Sequence, residues 1–260
     1  MELKNLVEFM GEHCFKQLVV DHNFLDVPCL KMLLSKFLSF GVVAGSLVYK
    51  LPQILKVQNS RSAKGLAMLG VLLELLSVTI SFSYSYSKGF PFMTYGESVF
   101  VAGANLLIIC QILSFEHGGV GFQGLAGIAL YGAAVYALLG GFVPFSALQI
   151  MQGCVTPIVI ASRLPQIWES YRNKSTGQLS FITWFLNFGG SLARIFTTLQ
   201  EIDDPLVLIG YIVGASLNAI IIGQIFLYWN NSGAKPSKPK KPAAKKPATK
   251  AAAAKKKKAN

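Results

Sequence analysis

The chain has 260 residues, 52% of them apolar and only 14% charged, a mixture too apolar for an ordinary soluble domain. Its net charge is +12, yet 11 of its 24 lysines and arginines lie after Gly233. A basic excess confined to one tail does not describe a nucleic-acid-binding surface, and seven apolar stretches of roughly 18–22 residues, each able to cross a hydrocarbon core of about 30 Å, argue against a soluble bundle.

Residues 1–33 are mixed in character and form an N-terminal segment, with Phe9, Phe15 and Leu18 set among charges. They lack the continuous apolar run of a cleaved signal peptide. Cys14 and Cys29 could pair on an oxidising side of the membrane, a pairing the sequence leaves open, whereas Cys110 and Cys154 sit in apolar runs as packing residues. Seven spans follow, at 34–55, 66–87, 95–114, 122–141, 146–169, 179–199 and 206–228, joined by short connections. Residues 230–260 are a Lys/Ala/Pro tail that cannot bury enough apolar surface to fold.

Lysine and arginine in the loops set the orientation. Lys4, Lys16, Lys31 and Lys36 lie in the N-terminal segment and the start of span 1. Lys56, Arg61 and Lys64 follow span 1, Arg172 and Lys174 follow span 5, and the tail carries 11 lysines. With seven spans these three segments share one face, which is expected to be cytoplasmic. The N-terminus is then lumenal. The opposite face carries Lys88 and the acids Glu201, Asp203 and Asp204.

The chain repeats itself. Leu51-Pro52-Gln53-Ile54 falls on Leu164-Pro165-Gln166-Ile167 at an offset of 113 residues, and the same offset places Arg61-Ser62 on Lys174-Ser175, Asn105 on Asn218 and Gln111-Ile112 on Gln224-Ile225. One ungapped offset holding over matches this far apart marks an internal duplication. Both copies put their basic loop on the same face, so they are parallel, and an odd number of spans per copy requires one span between them. The expected fold is an all-α membrane protein of seven transmembrane helices in a 3+1+3 plan. A first three-helix repeat occupies 34–114, a linker helix lies within 115–145, and a second repeat occupies 146–229. Parallel repeats of this kind hold substrate at their interface near the midplane.

Pro52 and Pro165 each remove a backbone N–H and crowd the carbonyl four residues earlier, at Val48 and Ala161. Their neighbours Gln53 and Gln166 carry amide donors, and Pro157 adds a second kink to span 5. Hinges or gates and static bends are the two readings of these elements. Asn105 and Asn218 lie halfway along spans 3 and 7. Glu74 and Asn187 are repeat equivalents about 12 Å deep in spans 2 and 6. A carboxylate at such depth costs about 2.5–3.5 kcal/mol on insertion scales, so it is expected to face the bundle interior. These four residues are candidates for binding sugar hydroxyls, or else for hydrogen bonding between helices. Arg194 has three readings: snorkelling, pairing with Glu97 or Glu201, or holding a phosphate. Gly41 and Gly45, Ala129, Ala133 and Ala137, and Gly189-Gly190 are expected close-packing surfaces. Nothing in the sequence provides an activated nucleophile, a metal cluster, a phosphate loop or a cofactor motif, so neither an enzyme nor a cofactor is expected. Lys257 and Lys258, third and fourth from the C-terminus, look like a dilysine retrieval signal read by coat machinery.

The doubled motif in this setting resembles the PQ-loop family, which includes the SWEET sugar transporters, the lysosomal cystine transporter and the KDEL receptors. The resemblance rests on Tyr49-Lys50-Leu51-Pro52-Gln53-Ile54, on Ser60-Arg61-Ser62-Ala63-Lys64-Gly65-Leu66, on Tyr95-Gly96-Glu97 and on Ser191-Leu192-Ala193-Arg194-Ile195-Phe196-Thr197. It covers roughly residues 5–230. It implies an endoplasmic-reticulum protein of the branch that serves the use of mannose-phosphate-dolichol and glucose-phosphate-dolichol in N-glycan, GPI-anchor and protein mannosylation pathways. The implied partners are the lipid-linked sugars and the glycosyltransferases that consume them. In the sugar transporters a paired Asn in spans 3 and 7 contacts sugar, and Asn105 and Asn218 resemble that pair. Ala44 stands where those transporters carry a gating-helix Pro, which sets this chain apart from a free-sugar gating cycle.

Overall fold

The structure is a computed structural model that describes residues 11–23, 25–63, 68–116, 118–176 and 181–229. The lysine-rich tail, with Lys257 and Lys258, lies outside the described residues, as do Lys64, Leu66, His117 and Leu179.

A helical turn at Glu12–Phe15, continued by a π-helical turn at Lys16–Val20, precedes the bundle. A disulfide joins Cys14 to Cys29 and pins this segment to the first long helix. His13 Nδ1 lies 3.6 Å from Cys29 Sγ, so the one cluster of metal-type side chains among the described residues has both sulfurs already bonded.

Helix α1 spans Val27–Tyr49 and so begins seven residues before the expected span. The cause is local. The Asp26 carboxylate accepts from the Cys29 N–H at 3.4 Å, and Pro28 occupies the first turn, where its missing N–H costs nothing. At Lys50 the helix breaks, and α2 (Leu51–Ser60) starts with Pro52 in its first turn. Then come α3 (Met68–Ser87), α4 (Phe92–Glu116), α5 (Gly121–Leu139), α6 (Phe145–Asn173), α7 (Phe181–Glu201) and α8 (Pro205–Leu227).

Six described stretches are long and apolar enough to cross a membrane: 27–60, α3, α4, α5, α6 and α8. The seventh expected span, α7, has 21 residues but is not among them. Its polar residues lower its hydropathy, and three of them are spent on neighbouring helices: Ser191 accepts from Asn218, Arg194 pairs with Glu97 and Glu201 accepts from Ser35.

Packing follows the duplication. In each repeat the third helix lies between the other two, α4 between α1 and α3, and α8 between α6 and α7. Between repeats α1 packs on α7 and α3 on α6, two interfaces that exchange under the repeat. The linker α5 packs on α3 and α4.

The two proline elements differ. In the first repeat the helix is interrupted before Pro52, whereas α6 runs on through both Pro157 and Pro165. What the repeats share is the partner of the motif. Gln111 Nε2 donates to the Ile54 carbonyl at 3.2 Å, and Gln224 Nε2 donates to the Ile167 carbonyl at 2.9 Å. Equivalent glutamines on α4 and α8 thus tether the two Leu-Pro-Gln-Ile segments. The exits match too: Arg61 and Lys174 both adopt the left-handed conformation, at φ 47° and 50°, and end their helices as a C-terminal cap residue does.

The expected close-packing surfaces are not packed. A methyl group added at Gly41, Gly45, Gly189 or Gly190 would meet nothing within 4 Å, and Ala129 and Ala133 are exposed. Helix contact comes instead through larger side chains, such as the buried set Val71, Leu75, Ala102, Ile108 and Ile112 in the first repeat.

Candidate functional site: the cavity between the repeats

A cavity of about 610 Å³ lies between the two repeats. Its wall draws on α3 and α4 from the first repeat, on α6, α7 and α8 from the second, and on Lys50 at the break between α1 and α2. Its residues on α3 run from Gly70 to Ser85, about 22 Å along the helix. Hydroxyls and amides are frequent in it, among them Ser77, Ser81, Thr156, Gln166, Ser191 and Tyr211.

Of the residues expected to bind substrate, Glu74, Asn187 and Asn218 line this cavity. Asn218 Nδ2 donates to Ser191 Oγ at 3.0 Å and to the Asn187 carbonyl at 3.4 Å. Its repeat partner Asn105 is not part of the wall. It is fully buried, and neither of its amide atoms has a hydrogen-bond partner. The repeat gives the reason: the position equivalent to Ser191 is Val78, which offers no hydroxyl. Arg194 is also absent from the wall. It is 2% exposed and lies behind Glu97, to which its Nε donates at 3.0 Å while Nη1 donates to the Met93 carbonyl at 3.1 Å. Pairing with Glu97 is the reading that holds for it. Gln166 lines the cavity, while Gln53, Pro52, Pro157 and Pro165 do not.

No binding role was expected of Lys50 or Arg163 from the sequence. Both line the cavity, from equivalent positions directly before each Leu-Pro-Gln-Ile. Lys50 is 6% exposed, and its Nζ meets Glu74 Oε2 at 2.6 Å. The Arg163 guanidinium lies 4.7 Å from the centre of the Trp184 ring, a cation–π distance. The signal was available: a basic residue inside an apolar span, recurring at the repeat offset, is costly unless used.

Polar contacts divide the two ends. Near the starts of α1, α4, α6 and α8, bonds join the two repeats. Ser35 and Ser39 on α1 donate to Glu201 Oε1 at 2.5 and 3.0 Å, and Glu97 on α4 holds Arg194 on α7 and accepts from Tyr211 on α8 at 3.3 Å. Tyr84 donates to Asp204 Oδ2 at 2.8 Å, and Lys88 Nζ lies 3.3 Å from the same oxygen. Asp204 also caps α8 through the N–H groups of Leu206 and Val207. Burial opposes its charge, but the Tyr84 hydroxyl, the Val207 N–H and Lys88 outweigh that and hold its carboxyl below the usual range. At the opposite end Lys50 bonds Glu74, Gln111 and Gln224 donate to the Ile54 and Ile167 carbonyls, and the Ala63 N–H donates to Glu116, each within its own repeat. The repeats are clasped at one end of the cavity.

Two comparisons bear on this arrangement. The PQ loop repeat matches the chain twice, at residues 34–94 and 147–207, two matches that begin 113 residues apart. The chain is also similar to human solute carrier family 66 member 3, at 28% identity over 180 residues, covering 69% of this chain and 86% of that protein.

Proposed function

We propose that the chain, which carries two matches to the PQ loop repeat, is a seven-span, 3+1+3 membrane carrier that admits the head group of a lipid-linked sugar to the cavity between its repeats. The observation that carries this reading is the pair Lys50 and Arg163. One cation from each repeat lines the same polar cavity, Lys50 beside the Glu74 carboxylate and Arg163 beside the Trp184 ring. Charges at such depth mark substrate pathways, and a cation pair beside hydroxyls and amides suits a phosphosugar. On this reading the polyprenyl tail stays in lipid while the phosphate and hexose cross.

The motif runs around Pro52, Glu97 and Arg194 look like those of the mannose-P-dolichol utilization defect protein. The head groups we assign are therefore those of mannose-phosphate-dolichol and glucose-phosphate-dolichol, moved or presented to the lumenal side of the endoplasmic reticulum. The Cys14–Cys29 disulfide suits a lumenal N-terminal segment, and Lys257 and Lys258 suit retrieval from the cytoplasmic side. The clasp between the repeats is then the closed lumenal gate.

Purified protein in vesicles, given labelled mannose-phosphate-dolichol, tests this. The protein should raise the flip rate. The Arg163→Met variant, and the Lys50→Met/Glu74→Gln pair that removes both charges together, should lower it about tenfold or more, the worth of one charge-assisted hydrogen bond. A flip rate unchanged by the wild-type protein in every lipid mixture would remove the proposal. The relation to a solute carrier favours a second reading, a carrier of small free solutes. Saturable free-sugar uptake without lipid flipping would select it.

A further inference from the structure

We infer that the clasped end of the cavity is a hexose subsite in which the Gln152 carboxamide receives sugar hydroxyls. The inference rests on the carrier reading above and says which part of the head group goes to which end.

Gln152 lies seven residues into α6, is 7% exposed and lines the cavity, and its Oε1 has no hydrogen-bond partner. A buried amide oxygen left unpaired is costly, and a leucine at the same place would avoid the cost. A purely structural role is available to compare. The repeat equivalent of Gln152 is Ser39, which ties α1 to Glu201 across the interface, and the equivalent of Glu201 is Lys88. Lys88, however, is held by Asp204 and stands over the Tyr84 and Phe145 rings. Gln152 thus does not make the bond its counterpart makes, and its amide oxygen is left buried and unpaired beside the cavity.

The surroundings define the ligand. Thr156 stands one turn further along α6, and Ser85, Thr94 and Tyr211 bring hydroxyls from α3, α4 and α8 to the same end. Gly210 faces Thr156, whose Oγ1 would lie 3.6 Å from a methyl group placed there. Its repeat equivalent is Glu97, so the glycine keeps room open where the first repeat fills it. A phosphodiester anion offers acceptors only and would leave the Gln152 oxygen unpaired. A sugar hydroxyl can both donate to that oxygen and accept from its neighbours. Gln152, Thr156, Val159, Arg163 and Gln166 follow one face of α6 at helical spacing. Arg163 is eleven residues beyond Gln152, about 16 Å along the axis; both side chains lean toward the helix N-terminus, and the longer reach of Arg163 narrows the separation. A hexose phosphate laid along this face puts phosphate at Lys50 and Arg163 and its hydroxyls at Gln152.

The full chain in phosphatidylcholine nanodiscs, titrated with inorganic phosphate and with mannose 1-phosphate, tests the assignment. A parallel arm carries mannose-phosphate-dolichol in the bilayer. Wild type should bind mannose 1-phosphate about tenfold more tightly than phosphate. Gln152→Leu should erase that preference and leave phosphate affinity unchanged, with Gln152→Asn intermediate. Arg163→Met should weaken every probe. A matching loss in the lipid arm assigns the subsite to a lipid head group; a loss confined to mannose 1-phosphate assigns it to a free hexose phosphate. The melting temperature of Gln152→Leu should equal or exceed wild type, because an unpaired polar group is removed. A fall there, or an unchanged preference in the variant, overturns the inference. Wild type that binds both soluble probes equally removes the hexose subsite and leaves the carrier standing; wild type that binds no probe removes both.

Discussion

The bond between Glu97 and Arg194 gives the sharpest test of how the repeats are held together. Arg194 is 2% exposed and spends its Nε on Glu97 and its Nη1 on the Met93 carbonyl. Glu97→Leu would strand a buried guanidinium. Removing one partner of a buried pair costs about 3–5 kcal/mol, mostly through the charge left behind. The Glu97 side chain is 20% exposed, so water reaches the pair from one side and the lower figure, about 3 kcal/mol, is expected. For a bundle of this size that lowers the melting temperature by about 6–12 °C. Glu97→Leu/Arg194→Met removes both charges and should recover most of the loss, since an apolar replacement of a buried pair is near neutral. The assay is thermal unfolding in one detergent of wild type, both single variants and the double variant, read as a cycle. A Glu97→Leu variant as stable as wild type, or a double variant no better than the single, would refute the reasoning.

The tethers of the two motifs should behave alike. Gln111→Leu and Gln224→Leu each remove the donor to one motif carbonyl and should each cost about 1–2 kcal/mol, adding in the double variant because they act in separate repeats; unfolding midpoints will show whether the costs add. Asp204 sets a pH dependence. Its carboxyl is held below the usual range, so its contribution is complete above about pH 4, where an unfolded Asp is ionised, and is lost as pH falls through the lower folded value. Melting temperatures measured from pH 8 to pH 3 should show no loss from this group above pH 5 and a loss below pH 4. Asp204→Asn, which keeps a cap for α8, should flatten that acid limb.

What was legible in the sequence followed from what a bilayer forces on a chain. Apolar runs must be long enough, and basic loops must stay on one side, so the long helices were found to within a few residues. The start of α1 was misplaced because Asp26-Val27-Pro28 was read as part of the flanking segment rather than as a cap followed by a first-turn proline. Depth was also readable: Glu74, Asn187 and Asn218 do share a cavity. Direction around the helix was harder. Asn105 stands at a depth equivalent to Asn218, but its surroundings depend on a residue 27 positions away, Val78 in place of Ser191, which no local pattern reveals. Gln152 was passed over because a lone glutamine in a span looks like packing until its oxygen is seen to have no partner.

The duplication separates scaffold from site. Positions that serve the backbone are kept in both copies. Gln111 and Gln224 tether equivalent carbonyls, and Arg61 and Lys174 make the same left-handed exit. Positions facing the cavity diverge: Glu74 against Asn187, Glu97 against Gly210, Val78 against Ser191. A ligand with two equivalent ends would give no reason for such divergence. A phosphosugar has a charged end and a neutral, hydroxyl-bearing end, and the cavity places cations toward the motifs and an unpaired amide toward the clasp. The asymmetry is what an asymmetric ligand would require of two halves that began identical, because each substitution changes one end of the cavity while the tethers keep both motif helices in place.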